Sequence, residues 1–350
     1  MNKAVVIGDC HFTNAYPSFD YLNKQLQTIE HILLDVEDAD YIIFLGDVFH
    51  FRKPDPETIV KVKVFFRRLC QFPTKRIFIV RGNHDTASKS DDSLLTILDV
   101  LDYQKIDIVY DSHVEEVGEC LFGFIAHFEK DEEILTRLAG VEDKLALSDQ
   151  KKFIFGHFGY TGCLNTNGDE DFGLSLNVFK HPTFLGHIHK PVDEGNVHVV
   201  GTPYSTAFSE SDNYHRYAVI DTLTGEYTFK KINFGIRYLC FEYSALEANK
   251  DFINDRKYKT ILRVLLNNIT DTNSVDLRKN IMEEYDVEYV DIKYLPLIDN
   301  ESHQSSFRPN SLAFDFDDDL IFKYVEECNS LMSKEVILEG LKLIKELEDS

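Results

Sequence analysis

The stretch IIFLGDVFHFRKPDP, Ile42 to Pro56, decides how the rest of the chain is read. A four-residue apolar run, Ile42 to Leu45, ends in Gly46-Asp47, with a histidine at His50 and prolines at Pro54 and Pro56. The run has the composition of a buried strand, yet a carboxylate follows it at once. Burying a carboxylate is costly unless a counter-charge or several donors compensate it. Asp47 therefore implies a cation, or a cluster of donors, waiting at the end of its strand.

The same ending recurs along the chain. AVVIGDCH (Ala4 to His11), YIIFLGDVFH (Tyr41 to His50), RIFIVRGNHD (Arg76 to Asp85), KKFIFGHFG (Lys151 to Gly159) and PTFLGHIH (Pro182 to His189) each pass from apolar residues into Gly with Asp, Asn or His. Between the first three lie helix-period segments marked by Leu22, Leu26, Ile29 and Leu33, then by Ile59, Val62, Phe66 and Leu69. Strands alternating with helices imply an α/β fold with a parallel or mixed sheet covered on both faces. Ligands in such folds gather at the carboxyl ends of strands, so all five polar clusters are expected at one edge. After Gly201 the chain changes character: YHRYAVIDTLTGEYTFKKINF reads as an antiparallel pair turning near Thr224-Gly225. A small α+β unit is expected over 236–297, with strands near 260–266 and 288–295 around a helix near 274–285. The Asn-, Ser-, Pro- and Asp-rich stretch 298–317 reads as a linker, and 318–350 as a pair of short helices.

Composition narrows the class. With 350 residues and 43% hydrophobic side chains the chain can bury one large core and a smaller appendage. MNKAVVIGDCH enters a strand directly rather than a signal peptide, and no apolar run reaches membrane length, so a soluble, cytoplasmic protein without a membrane partner is expected. Six scattered cysteines without a CxxC pair suit a reducing compartment and argue against structural zinc. The net charge of −23 works against an extended grip on nucleic acid. Part of it is local, since Asp299 to Ser350 hold thirteen acidic against five basic residues, a net of −8.

The strand ends supply Asp9, His11, Asp47, Asn83, His157, His187 and His189. Carboxylates mixed with imidazoles suit manganese, iron or zinc, whereas an all-oxygen set suits magnesium or calcium. Seven ligands exceed the needs of one ion and match two, with one carboxylate bridging. The order D-x-H, G-D, G-N-H-D, G-H, G-H-x-H resembles the calcineurin-like metallophosphoesterases. That resemblance implies a β-sandwich flanked by helices, in four layers α/β/β/α, over 1–235. It assigns a first metal to Asp9, His11, Asp47 and His189, and a second to Asp47, Asn83, His157 and His187. His84 then stands beside the phosphate as proton donor or charge stabiliser, with Asp85 orienting it.

The opening stretch narrows the resemblance. Protein phosphatases of the superfamily carry an Arg soon after the second-motif Asp, and GDVFHFRKPDP does not. It is similar instead to the SbcD-type DNA repair nucleases, in which a His three residues after the bridging Asp lies near the substrate phosphate; His50 matches that position. The short chain and its terminal helices look most like the phage versions. The resemblance implies a DNA exonuclease (3′-to-5′) and single-strand endonuclease with manganese preferred and magnesium weaker. It also implies a DNA-recognition cap over 236–297, and a helix pair that docks on a separate SbcC-type SMC-like ATPase in a two-plus-two complex with a nuclease homodimer. No G-x-x-x-x-G-K-[ST] occurs, so the ATP-driven step needs that partner. The rival readings are a small-molecule or cyclic-nucleotide phosphodiesterase and a catalytically silent scaffold. His127 is read as structural, Arg52 and Lys53 as a solvated turn or a phosphate contact, and Tyr204 as packing or pocket lining.

Overall fold

In the computed structural model the described residues are 2–16, 19–88, 96–164, 173–266 and 274–295. The chain begins with β1 (Lys3–Ile7), α1 (Tyr21–Leu34), β2 (Tyr41–Phe44), α2 (Pro56–Leu69), β3 (Arg76–Val80) and β4 (Ile106–Val109). It continues through β5 (Ser112–Val117), β6 (Cys120–Ile125), α3 (Asp131–Leu145), β7 (Lys151–His157), β8 (Thr183–Gly186), β9 (Val192–Glu194) and β10 (Val197–Val199). It returns as β11 (His215–Asp221) and β12 (Tyr227–Ile232), then closes with β13 (Gly235–Glu242), α4 (Lys250–Ile253), β14 (Tyr258–Leu266), α5 (Ser274–Glu284) and β15 (Tyr289–Tyr294).

Two mixed six-stranded sheets result, ordered β12-β11-β1-β2-β3-β4 and β5-β6-β7-β8-β10-β9. Alternation along each strand sends one set of side chains between the sheets and the other outward. Ala4, Val6, Ile43, Leu45, Phe78 and Val80 meet Phe122, Phe124, Phe153, Phe155 and Phe184 in the inner layer. Val5, Ile7, Ile42, Phe44, Ile77 and Ile79 face α1 and α2, where Leu22, Leu26, Ile29, Val62, Phe66 and Leu69 cover them. Ile154 and Leu185 face outward against Leu138, Val141 and Leu145 of α3. The fold is the four-layer sandwich, not one sheet with helices on both faces. The strands are apolar on both sides in either arrangement, so the sequence pattern alone does not reveal that the second cover is another sheet.

The opening prolines also find their reason. Asp55 caps α2, accepting from the Thr58 amide at 3.0 Å, and Pro56 occupies the first helical turn, where no amide hydrogen is needed. In the third sheet β13, β14 and β15 run parallel, with Leu239, Leu262, Leu277, Ile281 and Val290 packed together. Its other face puts Ile236, Tyr238 and Ile261 into the same cluster as α1. The expected strands and helix of 236–297 are thus present, joined by β13, which the sequence reading did not single out. The linker expected at 298–317 and the helix pair at 318–350 lie outside the described residues. Among the described residues, no helix is long and apolar enough to cross a membrane.

Candidate metal centre

Parallel pairing aligns the strand ends that matter. In the first sheet Ile7 pairs with Phe44, and Phe44 with Ile79; in the second His157 pairs with Gly186. The three motif loops of one sheet and the two of the other therefore open on the same end of the sandwich. The backbone is strained there. Four described non-glycine residues have left-handed φ, and three of them, His11 (46°), Asp47 (47°) and His187 (78°), are candidate ligands. Such conformations are unfavourable for residues with a Cβ and persist where a site imposes them. Glycine provides the clearance: Gly46 has φ 103°, and a Cβ on Gly82 would lie 2.2 Å from Asp47 Oδ1.

Asp47 sits between two groups of donors. Its Oδ2 lies 3.6 Å from His11 Nε2, and its Oδ1 lies 3.4 Å from His157 Nε2 while accepting from the His84 amide at 2.8 Å. On one side His11 Nε2 and His189 Nε2 stand 3.0 Å apart. Two nitrogens each about 2.1 Å from one cation at a right angle would be separated by about 3.0 Å. On the other side Asn83 Oδ1 is 2.9 Å from His157 Nε2 and 3.1 Å from His187 Nδ1. Asp9 joins the cluster beside His157: its Oδ1 accepts from the His187 amide at 2.8 Å and lies 3.3 Å from His157 Nδ1, and its Oδ2 is buried without a hydrogen-bond partner. All seven expected ligands thus converge on one cluster. A buried carboxylate oxygen without a partner, facing imidazoles whose nitrogens point at one another, is a donor set that fits divalent cations.

Two of the imidazoles, His157 and His189, are aimed by a bond from the other nitrogen, the arrangement that fixes a ligand's tautomer. His157 Nδ1 donates to the Leu45 carbonyl at 2.7 Å. His189 Nδ1 meets Glu210 Oε1 at 2.5 Å. Glu210 is a residue the sequence reading missed. It is buried, and its other oxygen accepts from the Thr206 amide at 2.6 Å. Burial opposes charge on both partners, yet their pairing holds the Glu210 carboxyl low and His189 high. Tyr204, also buried, donates to the Cys10 carbonyl and so braces the turn between Asp9 and His11.

The electrostatics answer the opening question. Burial disfavours charge on Asp47, but His157 and His11 beside it hold its carboxyl well below the usual range. Burial likewise opposes the His157 cation, yet Asp47 and Asp9 lift its pKa to about 9. His157 is thus the counter-charge within the protein, and a cation bound at this position displaces its proton. Burial depresses His187 to about 4, helped by the charge of His157.

Two further histidines flank the cluster. The His84 and His50 rings lie 5.0 Å and 5.3 Å from the His11 ring, both edge-on. His84 Nδ1 is bonded to the His50 carbonyl, so Nε2 is its remaining polar atom. That bond corrects the role expected of Asp85, whose carboxylate does not orient the His84 ring. Its Oδ1 accepts from the Val48 amide at 3.1 Å and its Oδ2 from the Gly82 amide at 2.9 Å, so it pins two ligand loops together. By proximity His84 could also join His11 and Asp47 around one ion. His127, read as structural, lies at the margin of the site. Its Nδ1 is 3.2 Å from the His157 carbonyl and its ring 5.8 Å from that of His187.

The calcineurin-like phosphoesterase family model matches residues 3–191, more than half of the chain and all of the strand ends above. The chain belongs to that family. As a phosphoesterase of this family it is a metal-dependent hydrolase by descent, and its donor set is sized for two divalent ions. No curated protein matches it. Among solved structures it is similar to a dimetal phosphatase from Danio rerio, at 15% identity and TM-score 0.45, over 65% of this chain and 95% of that one. It is also similar to nuclease MPE of Pseudomonas putida, at 20% identity and TM-score 0.26, over 43% and 58%.

Proposed function

We propose that the chain is a two-metal DNA phosphodiesterase, a 3′-to-5′ exonuclease and single-strand endonuclease. It serves as the nuclease subunit of an SbcCD-like repair or recombination complex in the cytoplasm of a bacterial or phage-infected cell. The observation that carries this reading is the placement of His50 and His84 together against the Asp47 cluster, where a phosphodiester would lie. Asp9, His11, Asp47 and His189 would hold one ion and Asp47, Asn83, His157 and His187 the other, with manganese favoured by the mixed nitrogen and oxygen donors. Such ions, when bound, supply Lewis-acid charge at the phosphate and make water nucleophilic near neutral pH.

The side chains supply the rest. The Nδ1 hydrogen of His84 goes to the His50 carbonyl, so its Nε2 is the atom that exchanges a proton with a phosphate or leaving oxygen. His50 carries the His84 ring through its carbonyl and presents its own half-buried ring to the substrate. Asp85 fixes the relative positions of the Asp47 and Asn83 loops through its amide bonds. The homodimer and the SbcC-type ATPase partner belong to the same proposal; the chain has no G-x-x-x-x-G-K-[ST], so the ATP-driven step of such a complex would fall to the partner.

The test is cleavage of single-stranded DNA, recessed duplex ends, a cyclic nucleotide and an aryl phosphodiester, each with manganese, magnesium or chelator. Manganese-dependent cleavage of DNA, well above that with magnesium and absent in chelator, is expected. Hydrolysis of the cyclic nucleotide with DNA left intact would replace the nuclease reading with the small-molecule one.

A further inference from the structure

A cavity of about 350 Å³ adjoins the Asn83–His187 side of the centre. Arg52, His127, Phe128 and Glu129 line it together with those two candidate ligands. Arg52 follows His50 by two residues and is held in place: its Nη1 is bonded to the Thr86 hydroxyl and donates to the Ser88 carbonyl at 2.9 Å. Its Nη2 lies 3.8 Å from Glu129 Oε1, beyond hydrogen-bond length, and the Glu129 side chain is 41% exposed. His127 is nine-tenths buried, and its Nε2 makes no hydrogen bond but lies 3.8 Å from the same Glu129 oxygen. The cavity therefore brings a tethered guanidinium to the side of the metal centre, in a chain whose net charge is −23.

Resting on the nuclease reading, we infer that this cavity receives the nucleotide next to the scissile one, with Arg52 binding that nucleotide's phosphate. A guanidinium fork matches a phosphate, and tethering lowers the entropy lost on binding it. A phosphate competes successfully with Glu129 because the Arg52–Glu129 pair is long and solvent-screened. Phosphates one nucleotide apart occur in a polynucleotide and not in a cyclic mononucleotide or an aryl ester, so the contact makes a general phosphodiesterase prefer DNA. Arg52 is then a specificity determinant, and it brings positive charge to the substrate where the chain as a whole repels it.

The experiment compares kcat/KM for the dinucleotide TpT with pTpT and TpTp, which carry a second phosphate, in wild type, Arg52→Gln and Arg52→Lys. Wild type should prefer one of the phosphorylated dinucleotides at least tenfold over TpT. Arg52→Gln should bring that ratio below about two, and Arg52→Lys should retain part of it. The slope of log K against log salt for a single-stranded oligonucleotide should fall by about 0.7 in Arg52→Gln, the value of one phosphate contact. Manganese titration of each variant reports whether Asn83 has been disturbed, and Arg52→Lys carries the comparison if the Gln variant loses metal. An undiminished ratio in Arg52→Gln, or a wild type indifferent to the second phosphate, overturns the assignment. Failure of wild type to cleave any dinucleotide or DNA refutes the nuclease reading itself, and this assignment with it.

Discussion

The buried contact between Glu210 and His189 makes a quantitative claim about the first metal. Glu210 Oε1 lies 2.5 Å from His189 Nδ1 and 2.7 Å from the Thr206 hydroxyl, and Oε2 accepts from the Thr206 amide at 2.6 Å. The carboxylate fixes the hydrogen on Nδ1, points Nε2 at His11 and makes that nitrogen more basic. Outer carboxylates of this kind are typically worth about 10- to 100-fold in metal affinity, or about 1.4 to 2.8 kcal/mol. Glu210→Gln keeps the size and one acceptor but removes the charge, so manganese affinity at the His11–His189 site should fall by that factor. The site at Asn83, His157 and His187 has supports of its own, His157 Nδ1 on the Leu45 carbonyl among them, and should keep its affinity. Calorimetric titration of metal-free protein should therefore change from two comparable sites to one strong and one weak, with the melting transition still cooperative. Equal weakening of both sites, or of neither, would refute the reasoning. Glu210→Ala is the harsher control, since it leaves the Thr206 amide without its acceptor and His189 Nδ1 with only the Thr206 hydroxyl at 3.4 Å, a loss of about 1–3 kcal/mol of stability.

Two other outcomes follow from the same geometry, and a third from the proposed function. Asp47→Ala removes a side chain with one oxygen toward each donor group, so binding of both ions and all hydrolysis should be lost; two ions bound in that variant by metal analysis would refute the bridge. His84→Gln should keep both metals while turnover falls about 10²-fold or more, whereas loss of an ion, seen by anomalous scattering, would make His84 a ligand. Deleting residues from Phe314 onward should leave manganese-dependent cleavage of single-stranded DNA in place and abolish co-purification with the ATPase; loss of solubility and activity together would place those residues in the core.

Most of the centre was legible because its chemistry and its backbone demands fall on adjacent residues. A Gly must precede Asp47, Asn83, His157 and His187 where the loops crowd together, as the clash of a Cβ on Gly82 with Asp47 illustrates. The five apolar runs ending in that pattern therefore named seven side chains that the fold gathers. Glu210 was not legible for the opposite reason. Its strength comes from burial and from a partner 21 positions earlier, and a lone Glu in STAFSESD has no spacing that distinguishes it from a surface residue. The one available clue was a carboxylate directly after the run of small and aromatic residues Ser205 to Ser209. The position of His127 at the margin of the site was not legible either: it follows β6 outside the motif order, and the pairing of β6 with β7 carries it to His157.

The strain at the centre and the spread of its supports have one cause. His11, Asp47 and His187 are held in left-handed backbone that costs about 1–3 kcal/mol each, so the surroundings must over-determine them. For His11 the support comes from α1, where Gln25 donates to the His11 carbonyl and accepts from the Thr13 amide, both at 3.0 Å. His187 is held by its amide bond to Asp9, and Asp47 is backed by Asp85, which accepts from the next amide, that of Val48. Each strained ligand is thus tied to an element other than its own strand, and α1 is in turn packed on Tyr238 of the third sheet, whose hydroxyl donates to that of Tyr21 at 3.4 Å. A sheet remote from the five motifs therefore helps hold His11, one of the candidate ligands. Residues beyond the family's motif region are part of what keeps the phosphoesterase site in shape.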